Sequence, residues 1–242
     1  MSQALLGPEM ERLRRAVVAS GGTPMALLDI DLTLVDNADR NRAIWRDWMH
    51  TLIGRWPEAK QRAIQAETMP IVFGVGENMA TLGVEDPSLQ EEGFRFWLEA
   101  FFSDEYARLD EPLDGANEAV QRLLDAGVTV AYVTARPEKM VPVTVECLSR
   151  MGFPVGVAGT ILATRPRAAS SDEEAKGEAY EWLGALGTPI LNADNEPGHV
   201  NATCMRFPEA MNVLVDTRHS PGAPDLSAQA RRAPRLLDAV LS

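Results

Sequence analysis

The sequence predicts an α/β protein, a doubly wound parallel sheet interrupted once by a block of helices. Three observations carry this. Short β-forming runs alternate with amphipathic segments of helix length over most of the chain. The alternation stops between Asn37 and about Leu109, where the only strand-like run is the short Pro70–Phe73. Ten of the fifteen aromatic residues fall between Trp45 and Tyr106, enough to build a separate small core there.

In order, Pro8 to Ser20 reads as a helix, with Met10, Leu13, Val17 and Val18 at helical spacing and Gly21-Gly22 stopping it. The apolar run from Met25 forms a strand that ends at Asp29. Helices are expected over Asp39–Ile53, Pro57–Thr68 and Pro87–Leu109, between hinge-like connections at Val35–Asp39 and Asp110–Asp114. This gives an α/β core of residues 1–36 and 112–242 and an insertion of residues 37–111. The α/β pattern then resumes. A helix spans Gly115–Ala126, ended by Gly127, and the strand Val128–Val133 runs into Thr134. A helix over Glu138–Met151 closes at Gly152, followed by a weaker strand at Thr160–Ala163. Ser171–Leu186 is a helix whose acidic first turn suits the dipole. The strand Thr188–Asn192 leads to Asp194, and Val213–Val215 leads to Asp216. A terminal helix is expected over Ala228–Leu241.

With 242 residues, 45% of them hydrophobic, the chain can bury a sizeable core. A formal net charge of −12 disfavours a broad nucleic-acid footprint. Two cysteines, Cys147 and Cys204, make no disulfide scaffold and fit a reducing compartment. No signal peptide or membrane-length apolar run is visible, so the expectation is a soluble, cytoplasmic protein without a membrane partner.

Ligands of doubly wound sheets bind beyond the carboxyl ends of the strands. Asp29 and Asp31 follow the first strand, and alternation along a strand would point both into one space. Two such anions repel unless a hard cation joins them. Thr134 and Asp194 end later strands, and Lys176 lies on the helix leading to Asp194. Carboxylates, a hydroxyl and an ammonium at one rim suit a phosphate with its metal. There the cation would bridge Asp29 and Asp194, while Lys176 and Thr134 would hold the remaining oxygens.

The run Asp29-Ile30-Asp31-Leu32-Thr33, then Thr134, Lys176 and Asp194, resembles the four signature motifs of the haloacid dehalogenase-like phosphatase superfamily over about residues 24–217. The resemblance implies a Rossmann-like core with a helical cap inserted after the first strand. It implies that Asp29 attacks phosphorus and that Asp31 protonates the leaving group and later activates water. Thr134 would hydrogen-bond the phosphoryl oxygen, and Lys176 would neutralise its charge. Asp29, Asp194 and the Asp31 backbone carbonyl would bind Mg²⁺. The implied activity is hydrolysis of a small phosphorylated metabolite, with no nucleic-acid partner.

Three departures stand out. Leu32 occupies a position that is usually glycine. The fourth motif lacks its usual second acid, for which Asn195 or Glu196 would have to stand in. Thr134-Ala135-Arg136-Pro137-Glu138 and Thr164-Arg165-Pro166 are similar to a branch containing acid phosphatases and polynucleotide 3′-phosphatases. A polynucleotide 3′-phosphatase, a dehalogenase and a catalytically weak binding relative are the competing expectations.

Lys139 is the rival to Lys176 among the three lysines, Lys60 being the third. Arg42 and Arg46, one helical turn apart, are candidates to meet an anionic substrate. Asp36 and Asp216 read as turn and strand-end residues. His50, His199 and His219 share no metal-ligand spacing, and all three, His199 near Asp194 included, are expected to be isolated histidines outside the site. Gly74-Val75-Gly76 lacks the rest of a dinucleotide fingerprint and does not open on a strand–helix unit, which leaves a loop of the insertion facing the site as its one open functional reading.

Overall fold

The computed structural model describes residues 4–169 and 171–242. In chain order it contains α1 (Pro8–Ala19), β1 (Pro24–Leu28), β2 (Val35–Asp36), α2 (Ala38–Thr51), α3 (Ala59–Ala66) and α4 (Val75–Thr81). Then come α5 (Pro87–Phe101), α6 (Asp104–Ala107), β3 (Glu111–Pro112), α7 (Ala116–Asp125) and β4 (Thr129–Pro137). After a 3₁₀ turn at Glu138–Met140 follow α8 (Val141–Arg150), β5 (Thr160–Arg165), α9 (Asp172–Leu186) and β6 (Thr188–Asp194). The chain ends with α10 (Pro197–Arg206), β7 (Met211–Val215), β8 (Arg231–Ala233) and α11 (Leu236–Val240). It divides into two compact units, Met1–Val35 with Pro112–Ser242, and Asp36–Glu111.

The first unit is built on a six-stranded sheet ordered β5-β4-β1-β6-β7-β8, with every neighbouring pair parallel. Counting only these strands along the chain, the order is 3-2-1-4-5-6. Chain direction therefore reverses its progress across the sheet between β1 and β6, and a crevice opens beyond their carboxyl ends. All residues of β1 and β7 are buried, as expected of parallel strands covered on both faces. The helices stop where the sequence provides left-handed residues: Gly127 (φ 76°) and Gly152 (φ 83°) terminate α7 and α8. Ser171 caps α9 by accepting the Glu174 N–H at 3.1 Å, and α9 buries Ala175, Lys176, Ala179, Tyr180 and Leu183.

The second unit has its own core of Trp45, Trp48, Met49, Leu52, Ala63, Met79 and Leu82, with Trp56, Phe96 and Trp97 packed against it. Its first helix is tied to its last residues by Arg40, whose Nε donates to Asp110 Oδ1 at 2.8 Å, both side chains being fully buried. Trp97 Nε1 donates to Asn41 Oδ1 at 2.8 Å. Gly93 of α5 lies against Trp48, so close that a Cβ there would stand 2.6 Å from the ring. The two connecting stretches pair with each other as the short β2–β3 sheet.

Several expectations need correction. Pro70–Phe73 is irregular rather than a strand, and Gly74 caps α4 instead of standing in a loop. The helix expected over Pro87–Leu109 breaks at Phe102-Ser103 into α5 and α6. The terminal helix expected over Ala228–Leu241 is the strand β8 followed by the short α11. Its Arg231-Arg232-Ala233 stretch pairs with Val213–Val215, so ladder bonds to β7 outweigh local helical preference. Among the described residues no helix is long and apolar enough to cross a membrane.

Candidate active site

The strand-end residues of the first unit meet at the β1/β6 crevice. Asp29 follows β1 directly, its backbone N–H donating to Ala193 O of β6 at 3.0 Å. Asp194 is the last residue of β6. Between their carboxylates lies the ammonium of Lys176, 2.8 Å from Asp29 Oδ1 and 2.6 Å from Asp194 Oδ2. All three are buried, Lys176 at 4% exposure. The α9 face that packs on the sheet carries Lys176 there, since Lys176 and Tyr180 lie one turn apart on its buried side. Lys139 is exposed on the 3₁₀ turn after β4.

Two buried anions around one cation do not titrate alike. Burial pushes the Asp29 carboxyl up to about 7, and the Lys176 charge only partly opposes it. For Asp194 the same burial is overcome by Lys176 and by a hydrogen bond from His199, holding it well below the usual carboxylate range. Asp194 Oδ1 also accepts the Glu196 N–H at 2.8 Å. Burial disfavours the Lys176 ammonium, yet the two carboxylates raise its pKa well above the ordinary lysine value. His199 Nδ1 lies 3.1 Å from Lys176 Nζ and 3.3 Å from Asp194 Oδ2, so this histidine does line the cluster.

Asp31 is placed differently. β1 ends at Leu28, and residues 30–35 form a tight turn in which Leu34 N–H and Val35 N–H both donate to Ile30 O. Asp31 meets Arg136 in a two-pronged pair, Nε to Oδ2 at 2.7 Å and Nη2 to Oδ1 at 2.9 Å. Arg136 is 2% exposed and its backbone N–H donates to the buried Thr134 Oγ1 at 3.2 Å. Leu32 takes φ 63°, the left-handed region that glycine favours, and its carbonyl accepts the Thr217 hydroxyl at 2.6 Å. Leucine at the usual glycine position thus adopts the backbone a glycine would.

The stand-ins for a second acid are committed elsewhere. Asn195 Nδ2 donates to Arg218 O at 2.6 Å, and both Glu196 oxygens accept from Ser220, its N–H at 2.8 Å and its hydroxyl at 2.7 Å. In the insertion, Arg46 pairs with Asp47 at 2.8 Å and Arg42 with Asp39 at 2.6 Å. Asp36 Oδ1 accepts the Ala38 N–H, and Asp216 pairs with Arg232. His50 and His219 are exposed, and both cysteines are buried free thiols.

Among the described residues no group of three or more His, Cys, Asp or Glu side chains could hold a metal ion unaided. The donor chemistry nonetheless fits Mg²⁺, which is commonly held by one or two carboxylates, with water and substrate phosphate completing the shell. Asp29 Oδ2 has no hydrogen-bond partner among the described residues, and Asp194 is held ionised beside it.

No protein-family model and no curated protein matches the sequence. Solved structures do match its shape. A Bacteroides fragilis protein described as a haloacid dehalogenase-like hydrolase superposes with a TM-score of 0.55 at 14% identity, over 90% of this chain and 100% of its own. The chain has the haloacid dehalogenase-like fold. A haloacid dehalogenase-like family hydrolase from Streptococcus pneumoniae aligns at a TM-score of 0.51 and 10% identity, over 91% of this chain and 97% of that one. Protein Tyrosine Kinase A of Mycobacterium tuberculosis superposes at a TM-score of 0.57 and 16% identity, over 90% of this chain and 98% of that one.

Arg136 is a site residue that motif spacing does not single out, although the run Thr134-Ala135-Arg136-Pro137-Glu138 contains it. The available signal was its position two residues past Thr134 at a strand end. His199 corrects the expectation of an isolated histidine, which followed from a lone histidine carrying no ligand spacing. Its position after Asp194, at the start of a helix, was the only pointer.

Proposed function

We propose that the protein is a Mg²⁺-dependent hydrolase of small phosphomonoesters that works through an aspartyl-phosphate on Asp29. The supporting observation is the buried Asp29–Lys176–Asp194 cluster at the topological switch of the sheet. Carboxylates of this kind serve as nucleophiles in phosphoryl transfer. When bound, Mg²⁺ supplies positive charge that draws the phosphate dianion towards Asp29 and Asp194. Asp29 attacks phosphorus, the bond to the leaving oxygen breaks, and Asp31 delivers the proton that oxygen takes up. Asp31 then removes a proton from the water that hydrolyses the aspartyl-phosphate. Lys176 and Thr134 hold the non-bridging oxygens.

An acidic chain favours small substrates over duplex ends, which call for a basic track. Asp31 argues against a dehalogenase, which needs no acid at that position. One fold neighbour carries a kinase name, so the assay should follow the phosphoryl group itself. Release of inorganic phosphate from an aryl phosphate is measured with Mg²⁺ for wild type and Asp29→Asn, followed by a panel of phosphorylated metabolites. Mg²⁺-dependent release lost in Asp29→Asn is the expected result. Failure of both proteins with every divalent metal would leave a binding relative.

A further inference from the structure

We propose that Arg136 is the positioning residue for Asp31, aiming the carboxylate that handles the leaving-group proton. This rests on the hydrolase reading above and adds to it a residue outside the four motifs. Asp31 is carried by a turn, not by the strand itself. It lies in the 30–35 turn beyond the end of β1, and its side chain keeps 22% exposure, unlike the buried Asp29. Aiming such a carboxylate means setting two side-chain torsions.

The two-pronged contact from Arg136 fixes both. A guanidinium binding both carboxylate oxygens sets the plane as well as the distance, which a single ammonium cannot do. Arg136 is itself held. It belongs to β4, its side chain is 2% exposed, and its backbone N–H is bonded to Thr134. One short segment of β4 therefore supplies both the Thr134 hydroxyl and the group that orients Asp31. Proton transfer depends steeply on such placement, and positioned acid–base groups contribute about 10²–10⁴-fold.

A structural ion pair would predict something different. It would support the fold and affect all substrates alike. A positioning residue acts through Asp31, so its removal matters most where the leaving group needs a proton and matters little once Asp31 is gone.

The test measures kcat and KM for Arg136→Met, Arg136→Lys, Asp31→Asn and Asp31→Asn/Arg136→Met on phosphate esters spanning acidic aryl to alkyl leaving groups. Arg136→Met is expected to lower kcat on alkyl esters by about 10²-fold, with KM changed by less than about threefold, and to lower it much less on p-nitrophenyl phosphate. In the Asp31→Asn background the same change should cost almost nothing more. Arg136→Lys keeps the charge without the fork and should fall between the two, which serves if the methionine variant does not fold. Equal losses for every leaving group, or full additivity with Asp31→Asn, would overturn the proposal while leaving the hydrolase reading standing. No hydrolysis by the wild type would remove both.

Discussion

Lys176 donates to Asp29 at 2.8 Å across 147 positions of sequence, and both side chains are buried. The ammonium joins a helix to the end of the central strand and offsets two carboxylates that would otherwise repel in a dry site. Most of what can be tested follows from this pair.

Lys176→Met should destabilise the protein by about 3–5 kcal/mol at pH 8, since breaking a buried ion pair leaves uncompensated charge. The loss should shrink at pH 5.5, where Asp29, raised to about 7, takes up a proton. Urea unfolding at both pH values checks this. A variant as stable as wild type at pH 8 would contradict the role given to the ammonium.

Asp29 also sets a pH dependence. Its folded pKa lies above the ordinary carboxylate value, so between about pH 4 and 7 the folded protein binds more protons than the unfolded one. Metal-free stability from this group therefore falls as pH rises through that window, and Asp29→Asn should flatten the fall. Protons compete with Mg²⁺ for the same oxygens. The rise in Tm on adding Mg²⁺ should be small at pH 5.5 and larger at pH 8, and a constant increment would contradict this.

Leu32 holds φ 63° with its side chain buried. Leu32→Ile preserves volume but puts a β-branched residue in the left-handed region, where it is a steric outlier. A loss of about 1–2 kcal/mol is expected, together with lower activity because the turn carries Asp31. Chemical denaturation beside a phosphate-release assay reads both effects.

Gly93→Ala should loosen the insertion. A Cβ there meets Trp48 at 2.6 Å and the Met79 sulfur at 2.8 Å, and Trp48 is fully buried. Overpacking of this kind costs about 1–3 kcal/mol. Faster hydrogen exchange in α2 and α5 than in β1 and β6 would localise the damage, and unchanged exchange would count against it.

The sequence by itself determined the alternation of strands and helices, because parallel strands buried on both faces must be written as apolar runs and helix ends as local glycine and serine signals. Met25–Leu28, the run into Thr134 and the helix stops at Gly127 and Gly152 were legible for that reason. It also placed Asp29 and Asp194 at strand ends, where doubly wound sheets gather ligands, whereas Thr134 lies within β4, which runs on to Pro137. Other features exist only as contacts between distant segments. Arg231–Ala233 is a strand because β7 lies beside it, and its own polar residues favour no such thing. Leu32 is left-handed because residues 30–35 must close a turn, although a leucine signals nothing of the kind. Glu196 turns to Ser220 and Asp31 to Arg136, each choosing a partner that spacing along the chain leaves undetermined. Tertiary structure alone decided that a lysine ammonium lies between the two carboxylates, since only folding brings charges from β1, α9 and β6 within reach of one another.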